Sequence, residues 1–84
     1  MEEQEIGYIS NYFSKISVAI VEITKGKLQG GDAIHIKGNT TDFKQDVESM
    51  QIEHETVLKA KKGDSIGLKV SKKARKKDKV FKVL

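Results

Sequence analysis

The sequence of 84 residues contains no cysteine and no proline. Without cysteine, disulfides, zinc–thiolate sites and cysteine nucleophiles are excluded. Without proline, no strand lacks a backbone N–H for pairing. No apolar run approaches the length of about 18 residues that a membrane span needs, and the acidic N-terminal residues lack the pattern of a secretory signal. These absences predict a cytoplasmic protein without membrane contact, built as one small domain.

Arginine is nearly absent as well, because Arg75 stands alone beside 15 lysines. Residues 1–58 contain five Lys and ten Asp or Glu and carry a net charge of −5. Residues 59–84 contain ten Lys, one Arg and two Asp and carry +9. An anionic partner is therefore expected at the C-terminal part of the chain. A high Lys and Glu content without cysteine is typical of thermophilic proteins.

Hydrophobic periodicity predicts an all-β chain of short strands at roughly ten-residue spacing, which is typical of a sandwich or a barrel. A barrel removes the exposed edges of a small open sheet. We therefore predict a small closed β-barrel of about six to seven mostly antiparallel strands over residues 6–84, after a short acidic tail over residues 1–5. The predicted strands are 6–13, 16–23, 33–37, 43–53, 56–60, 65–70 and 79–84.

Several side chains can be assigned to faces of these strands. Ile66, Leu68 and Val70 alternate with other residues and should point inward. By the same alternation, Tyr8 should share the face of Ile6. All five aromatic residues, Tyr8 included, could stack on bases, but Phe13 and Phe81 are assigned to the core, whereas the positions of Tyr12 and Phe43 stay open.

One pattern occurs twice, as residues 31–37 and residues 63–69 both read Gly-Asp-x-Ile-x-apolar-Lys. Glycine reaches the positive φ that a tight turn requires. The following Asp side chain accepts hydrogen bonds from nearby backbone N–H groups. Both segments therefore predict the same turn leading into an alternating strand.

Four segments, in order, resemble the β-barrel second domain of elongation factor Tu and its GTPase relatives. They are residues 17–21 (Ser-Val-Ala-Ile-Val), 26–34 (G-x-L-x-x-G-D-x-I), 47–50 (V-x-S-M) and 60–68 (A-x-x-G-D-x-I-G). The resemblance covers roughly residues 6–83 and implies a non-catalytic translation-factor barrel, here as a stand-alone domain, that contacts tRNA or the ribosome. A similar barrel also occurs as an accessory C-terminal domain of some collagenase-like peptidases.

The sequence departs from the family pattern at two places. Lys77 stands where the family usually has glycine before an aspartate, here Asp78. Gly26-Lys27 lacks the flanking residues of a P-loop, so no nucleotide site is predicted. The family's RNA-contacting residues do not match one by one, and none is carried over.

A basic run near the C-terminus is the candidate nucleic-acid site. Lysine ammonium groups act as point charges that suit a phosphate backbone without reading bases. The same composition also suits a solvated loop, or contact with an acidic protein surface. The candidate residues are Lys72, Lys73, Arg75, Lys76 and Lys77.

The sequence predicts no catalytic residue, metal site or cofactor. Glu53-His54-Glu55 contains metal-ligand residue types, but neighbouring strand residues point to opposite faces and cannot easily share one ion. No nucleophile motif supports a Ser-His-Asp arrangement, so no enzyme activity and no small-molecule substrate are expected. The predicted function is RNA or ribonucleoprotein binding; the alternative is a protein-interaction module that docks onto a larger GTPase or enzyme.

Overall fold

The chain is all-β. The computed structural model describes residues 2–53 and 55–84, and these residues form ten strands. The strand bounds are β1 Glu3–Phe13, β2 Val18–Ile23, β3 Lys27–Gln29, β4 Ala33–Lys37, β5 Asp42–Asp46, β6 Met50–Ile52, β7 Glu55–Val57, β8 Lys59–Lys61, β9 Ser65–Lys69 and β10 Lys79–Val83. No helix long and apolar enough to cross a membrane occurs among the described residues.

Eight strands form one sheet in the order β5-β4-β10-β1-β2-β9-β6-β7, and each neighbouring pair is antiparallel. The other two, β3 and β8, form a separate antiparallel ribbon. An all-β, mostly antiparallel chain is thereby confirmed. The closed barrel is wrong, because the end strands β5 and β7 do not pair with each other within the described part of the chain.

One side chain bridges the end strand β5 to the middle of the sheet. β6 pairs with β9 at Leu68 and Gly67, and the ladder on that side of β9 ends there. Beyond it, Gln45 of β5 donates from Nε2 to the Lys69 carbonyl at 2.9 Å and accepts the Ser71 N–H on Oε1 at 2.7 Å. A side-chain amide carries the same donor and acceptor as a peptide group. The Gln45 side chain therefore supplies the hydrogen bonds that a longer β6 would make to Lys69 and Ser71.

The long strand β1 bends through two bulges. Its register shifts between Glu5 and Gly7 against β10, and between Ile9 and Asn11 against β2. A bulge adds one residue and changes which side chains face inward. As a result Ile6 and Ile9 are both fully buried although they are three residues apart, and Tyr8 is 43% exposed. The prediction that Tyr8 shares the face of Ile6 is therefore wrong.

The aromatic residues divide between core and surface. Phe43 is buried, and Tyr12 packs against the core. Phe81 is half-buried. Phe13 is 45% exposed at the end of β1, beside Ile16 in the turn before β2. The assignment of Phe13 to the core is wrong, because the β1–β2 hairpin carries it past the edge of the core.

The predicted strand 43–53 is interrupted at Val47. The Val47 N–H donates to the Asp32 carbonyl at 2.8 Å, and its carbonyl accepts the Gly31 N–H at 3.0 Å. Its side chain is buried in the core. The chain therefore turns inward here and resumes as β6.

A second difference concerns β3, which the sequence places in turns and which buries Leu28 in the core.

The two predicted Gly-Asp turns are confirmed. Gly31 and Gly63 have φ values of 93° and 95°, which glycine adopts without steric cost. Asp32 Oδ2 accepts the Gln29 N–H, and Asp64 Oδ2 accepts the Lys61 N–H, each at 2.9 Å. The strands that follow bury alternate residues as expected; Ile66, Leu68 and Val70 all lie in the core.

The first and last described residues lie side by side. Glu3, Gln4 and Glu5, which the sequence analysis places in a tail, belong to β1 and pair with β10. Beyond the ladder, the Leu84 N–H donates to the Glu2 carbonyl at 2.8 Å. Glu2 and Leu84 therefore meet beside the paired ends of β1 and β10.

Replacing Gln45 by Ala should lower the free energy of unfolding by about 1–2 kcal/mol, because two hydrogen bonds are lost and the backbone groups of Lys69 and Ser71 are left without them. Gln45→Glu should also destabilise, because a carboxylate cannot donate to the Lys69 carbonyl. Urea unfolding measures both changes. Gln51→Ala, an exposed strand glutamine, is the control and should stay within about 0.5 kcal/mol of the parent. Equal effects at both positions would contradict the bridging role.

Candidate functional site

The five predicted basic residues lie in the segment between β9 and β10, and all five are exposed. Three of them line a cleft of about 460 Å³, called here the Arg75 cleft, whereas Lys72 and Lys73 do not line it. Lys37 and Lys79 complete its cationic lining. The residues that line the Arg75 cleft are Lys37, Gly38, Asn39, Thr40, Arg75, Lys76, Lys77, Asp78 and Lys79.

Two buried residues hold this basic segment against the sheet. Ala74 is 1% exposed and packs in the core, and Asp78 is 5% exposed. Asp78 Oδ2 accepts the Arg75 N–H at 2.8 Å, and Gly38 lies so close to the Asp78 carboxylate that a Cβ would have no room there. The basic side chains therefore project from a backbone that is fixed on its inner side.

The segment ends in a third copy of the Gly-Asp turn, with lysine in the glycine position. Lys77 has a φ of 76°, where the two other turns have glycine. The Asp78 N–H donates to the Arg75 carbonyl at 3.2 Å, as the equivalent aspartates do in those turns. A non-glycine residue in this left-handed region costs roughly 1–2 kcal/mol. Lys77 therefore occupies a strained position at the rim of the cleft.

Lys37 could not be assigned to the cleft from the sequence. It stands in β4 and pairs directly with Lys79 at the start of β10, 42 positions further along the chain. The Lys79 ammonium lies 3.9 Å from Glu5 Oε1. Only the register of the β4–β10 pair brings the two lysines together, and no short-range sequence pattern reports that register.

A second basic cleft, called here the ribbon cleft, lies at the β3–β8 ribbon and also measures about 460 Å³. Lys27 and Lys61 are cross-strand partners in the ribbon, and Lys59 is the partner of Gln29. Lys82 of β10 donates to the Lys27 carbonyl at 3.4 Å. The residues that line the ribbon cleft are Lys27, Leu28, Gln29, Lys59, Ala60, Lys61, Asp64 and Lys82.

A histidine joins three strands on the outer face of the sheet. His35 of β4 places Nδ1 2.9 Å from Glu3 Oε1 in β1, and its Nε2 contacts Asp42 Oδ1 in β5. Lys44 lies 3.6 Å from Glu3 Oε2. The His35 side chain is 12% exposed. Both ring nitrogens face carboxylates, so the charged imidazolium, which donates from both nitrogens, fits the site best.

The charges in this cluster shift one another's pKa. The hydrogen bonds that His35 donates to Asp42 and, next in importance, to Glu3 raise its pKa above the ordinary 6.5. The hydrogen bond from His35 lowers the pKa of Asp42 below 3.8 and that of Glu3 below 4.5.

Among residues 2–53 and 55–84, no group of three or more His, Asp or Glu has an arrangement suited to a metal. The Glu53-His54-Glu55 segment is not fully covered, since His54 lies outside the described residues.

Comparison with known proteins identifies three relatives that align with most of the chain. The chain is 42% identical over 78 residues, or 92% of its length, to an uncharacterized protease of Methanocaldococcus jannaschii and to two collagenases of Porphyromonas gingivalis. It spans about a fifth of the length of these relatives, namely 19%, 22% and 19%. No family model matches the chain.

Comparison of structures gives the fold. The C-terminal domain of a Geobacillus thermoleovorans protein assigned to the U32 peptidases superposes with a TM-score of 0.88 at 18% identity, covering 96% of this chain and 93% of that domain. Its selenomethionine variant gives 0.85 at 18% identity, covering 92% and 96%. The fold is that of this C-terminal domain.

The resemblance to the second domain of elongation factor Tu is therefore wrong. The relatives are proteases and collagenases, and the solved structures come from a U32 peptidase. The translation-factor function and the RNA-binding function, which were predicted from that resemblance together with the basic C-terminal residues, are corrected with it. The comparisons do not address the five basic residues individually, and the structure brings Arg75, Lys76 and Lys77 together without Lys72 and Lys73.

Replacing Lys77 by Gly should raise the free energy of unfolding by about 0.5–1 kcal/mol, because relief of the left-handed strain exceeds the entropy that glycine adds to the unfolded chain. Thermal or urea unfolding measures the change. Lys76→Gly removes the same charge at a position without positive φ and should destabilise by about 0.5–1 kcal/mol. Equal shifts in the two variants would show that charge, not backbone strain, is being measured.

Folding stability should depend on pH through the His35 cluster. The raised pKa of His35 stabilises the fold fully below pH 6.5, and this contribution is lost as pH rises through the folded-state pKa. Glu3 and Asp42 have lowered pKa values in the folded state, so they stabilise the fold fully at pH values above their ordinary pKa values. This contribution is lost as pH falls through their folded-state pKa values. Stability should therefore be greatest between about pH 5 and 6.5.

Urea unfolding at about pH 5.5 and about pH 9 tests this dependence. His35→Gln keeps a polar side chain without the titration, and it should remove the decline above pH 6.5 that the parent shows. A parent protein that is equally stable at both pH values would contradict the charged state of His35.

Proposed function

We propose that this chain is an accessory, non-catalytic domain of a U32-type peptidase. The observation that carries the proposal is 42% identity over 92% of the chain to proteases and collagenases of which it spans only about a fifth. The match in fold to the C-terminal domain of a U32 peptidase supports the same assignment. On this proposal, peptide-bond hydrolysis belongs to the remaining four fifths of such a protein.

The contacts of one histidine and two serines support a non-catalytic role. A serine protease needs a histidine nitrogen free to take the proton of the serine hydroxyl. In His35 both ring nitrogens contact carboxylates instead. The Ser10 and Ser65 hydroxyls both donate to Glu22 Oε2, at 3.0 and 2.6 Å. These serines are therefore engaged with a carboxylate that serves as a hydrogen-bond acceptor.

The location of the domain stays a prediction. The chain contains no cysteine, so disulfide bonds and an oxidising compartment are not needed to stabilise it. A cytoplasmic location, as expected from composition, remains part of the proposal.

A domain exchange tests the accessory role. The residues of a Porphyromonas gingivalis collagenase that align with this chain would be replaced by residues of this chain, and collagen cleavage would be measured. The chimera should cleave collagen within about tenfold of the parent enzyme, since a tenfold change corresponds to only about 1.4 kcal/mol. A second chimera with an unrelated small β-domain at the same position is the control and should lose activity.

Two outcomes would contradict the proposal. A soluble, folded chimera without activity, together with an active control, would show that this domain cannot serve as the peptidase accessory domain. Cleavage of collagen by the isolated chain would show that it carries catalysis itself.

A further inference from the structure

The ribbon cleft places lysines of like charge directly opposite each other. Lys27 and Lys61 are partners in the β3–β8 register. The flanking hydrogen bonds, from Lys62 N–H to the Gly26 carbonyl and from Gly30 N–H to the Leu58 carbonyl, place Lys27 and Lys61 in a non-hydrogen-bonded pair. In such a pair the Cα atoms are only about 4.5 Å apart and like charges destabilise the sheet. The ribbon thus places two lysine side chains of like charge on the same face as direct cross-strand neighbours, at an energetic cost.

The positive charge of the ribbon cleft is not neutralised within the domain. Among residues 2–53 and 55–84, no carboxylate oxygen lies within 4.0 Å of the ammonium of Lys27, Lys59 or Lys61. Lys82 is different, because its ammonium lies 3.6 Å from Asp32 Oδ2. Asp64 also lines the cleft, and its Oδ2 accepts the Lys61 N–H. Three ammonium groups therefore remain available for an anion.

The backbone edges of the ribbon are already occupied at two positions. The outward N–H of Gln29 donates to Asp32 Oδ2, and its carbonyl accepts the Asp32 N–H at 3.1 Å. The outward N–H of Lys61 donates to Asp64 Oδ2, and its carbonyl accepts the Asp64 N–H at 2.9 Å. A ligand cannot add here as a further strand. At these two positions recognition must therefore come from side chains.

The size and lining of the ribbon cleft suit a segment of polypeptide. Its volume of about 460 Å³ lies within the range of ligand sites, roughly 300–1,000 Å³. Leu28 and Ala60 form the buried floor of the cleft, and the aliphatic stems of the lysines supply its exposed apolar surface. None of the described residues that line it is aromatic, so the cleft offers no platform for stacking bases.

We propose that the ribbon cleft binds an acidic polypeptide segment, whose carboxylates pair with Lys27, Lys59 and Lys61 and whose apolar atoms pack against the aliphatic stems of these lysines. The choice of a polypeptide rests on the proposed function, because an accessory domain of a peptidase works beside protein surfaces and peptide substrates. Lysine suits carboxylates that approach from several directions, since its three donors rotate around a compact charge.

Fluorescence anisotropy with a labelled peptide of alternating Glu and Ala tests the proposal, with the corresponding Gln-Ala peptide as the neutral probe. The parent chain should bind the Glu peptide and not the Gln peptide at low salt. The double variant Lys59→Gln, Lys61→Gln should bind the Glu peptide about tenfold more weakly, as expected for losing two charge pairs. The double variant Lys72→Gln, Lys73→Gln removes the same charge outside the cleft and should change binding less than about twofold.

Several results would overturn the proposal. Absence of binding by the parent at low salt would exclude the site. Equal weakening of peptide binding in both double variants would show that the net charge of the domain, and not the ribbon cleft, attracts the peptide. If a single-stranded RNA of equal charge bound more tightly than the Glu peptide, and the Lys59–Lys61 variant lost that binding, the ligand of the cleft would be a nucleic acid and the proposed polypeptide would be wrong. A failed domain exchange with intact peptide binding would reject the peptidase role alone, so the two failures can be told apart.

A single substitution separates a binding role from a structural one. Lys61→Glu should raise the melting temperature by about 1–5 °C, because an opposite-charge pair replaces the Lys27–Lys61 repulsion, and it should abolish binding of the Glu peptide. A lysine that served the fold would give a lower melting temperature. That outcome would remove the premise that the ribbon holds its charges at a cost.

Discussion

The structure depends on pairing backbone N–H and C=O groups where strands end, because an open sheet in a small domain leaves many of them without a neighbouring strand. Side-chain oxygens and amides supply these partners at several places. Gln45 completes the ladder beyond β9, and Asp32, Asp64 and Asp78 each accept the N–H of the residue three positions earlier. No buried side-chain nitrogen or oxygen lacks a partner among the described residues. The sheet is therefore open in its strand order, and side chains supply hydrogen-bond partners to backbone groups at several of its strand ends.

The features that could be predicted from the sequence are those set by neighbouring residues. Alternation placed Ile66, Leu68 and Val70 in the core, and the two Gly-Asp pairs predicted their turns. The third turn was not recognised, because Lys77 takes the position of the glycine. The predicted face of Tyr8 was wrong because a bulge shifts the strand period between Glu5 and Gly7. A glycine inside a strand often marks such a bulge, but the alternation alone did not use Gly7 in this way.

The candidate sites follow the same division. The basic run near the C-terminus was evident from composition, and three of its residues line the Arg75 cleft. Lys37 and the lysines of the ribbon cleft come from strands distant in sequence, and only the register brings them together. The false resemblance to a translation factor has a related cause. Its motifs consist largely of Gly-Asp turns and alternating strands. Any small β-fold needs tight turns whose backbone N–H groups are hydrogen-bonded, so these motifs occur in unrelated barrels and sheets.

The meeting of the chain ends has a mechanical consequence. Glu2 and Leu84 are joined by a hydrogen bond at the end of the β1–β10 pair. A host polypeptide attached at both positions would enter and leave at one point of the surface, so the domain could be inserted with little separation of the flanking segments. Tension applied at Glu2 and Leu84 would pull the paired strands apart from one end. The hydrogen bonds of the β1–β10 ladder would then break one after another, because the force would not be shared among them. The domain should thus yield at low force when it is pulled through its ends, although its core is well packed.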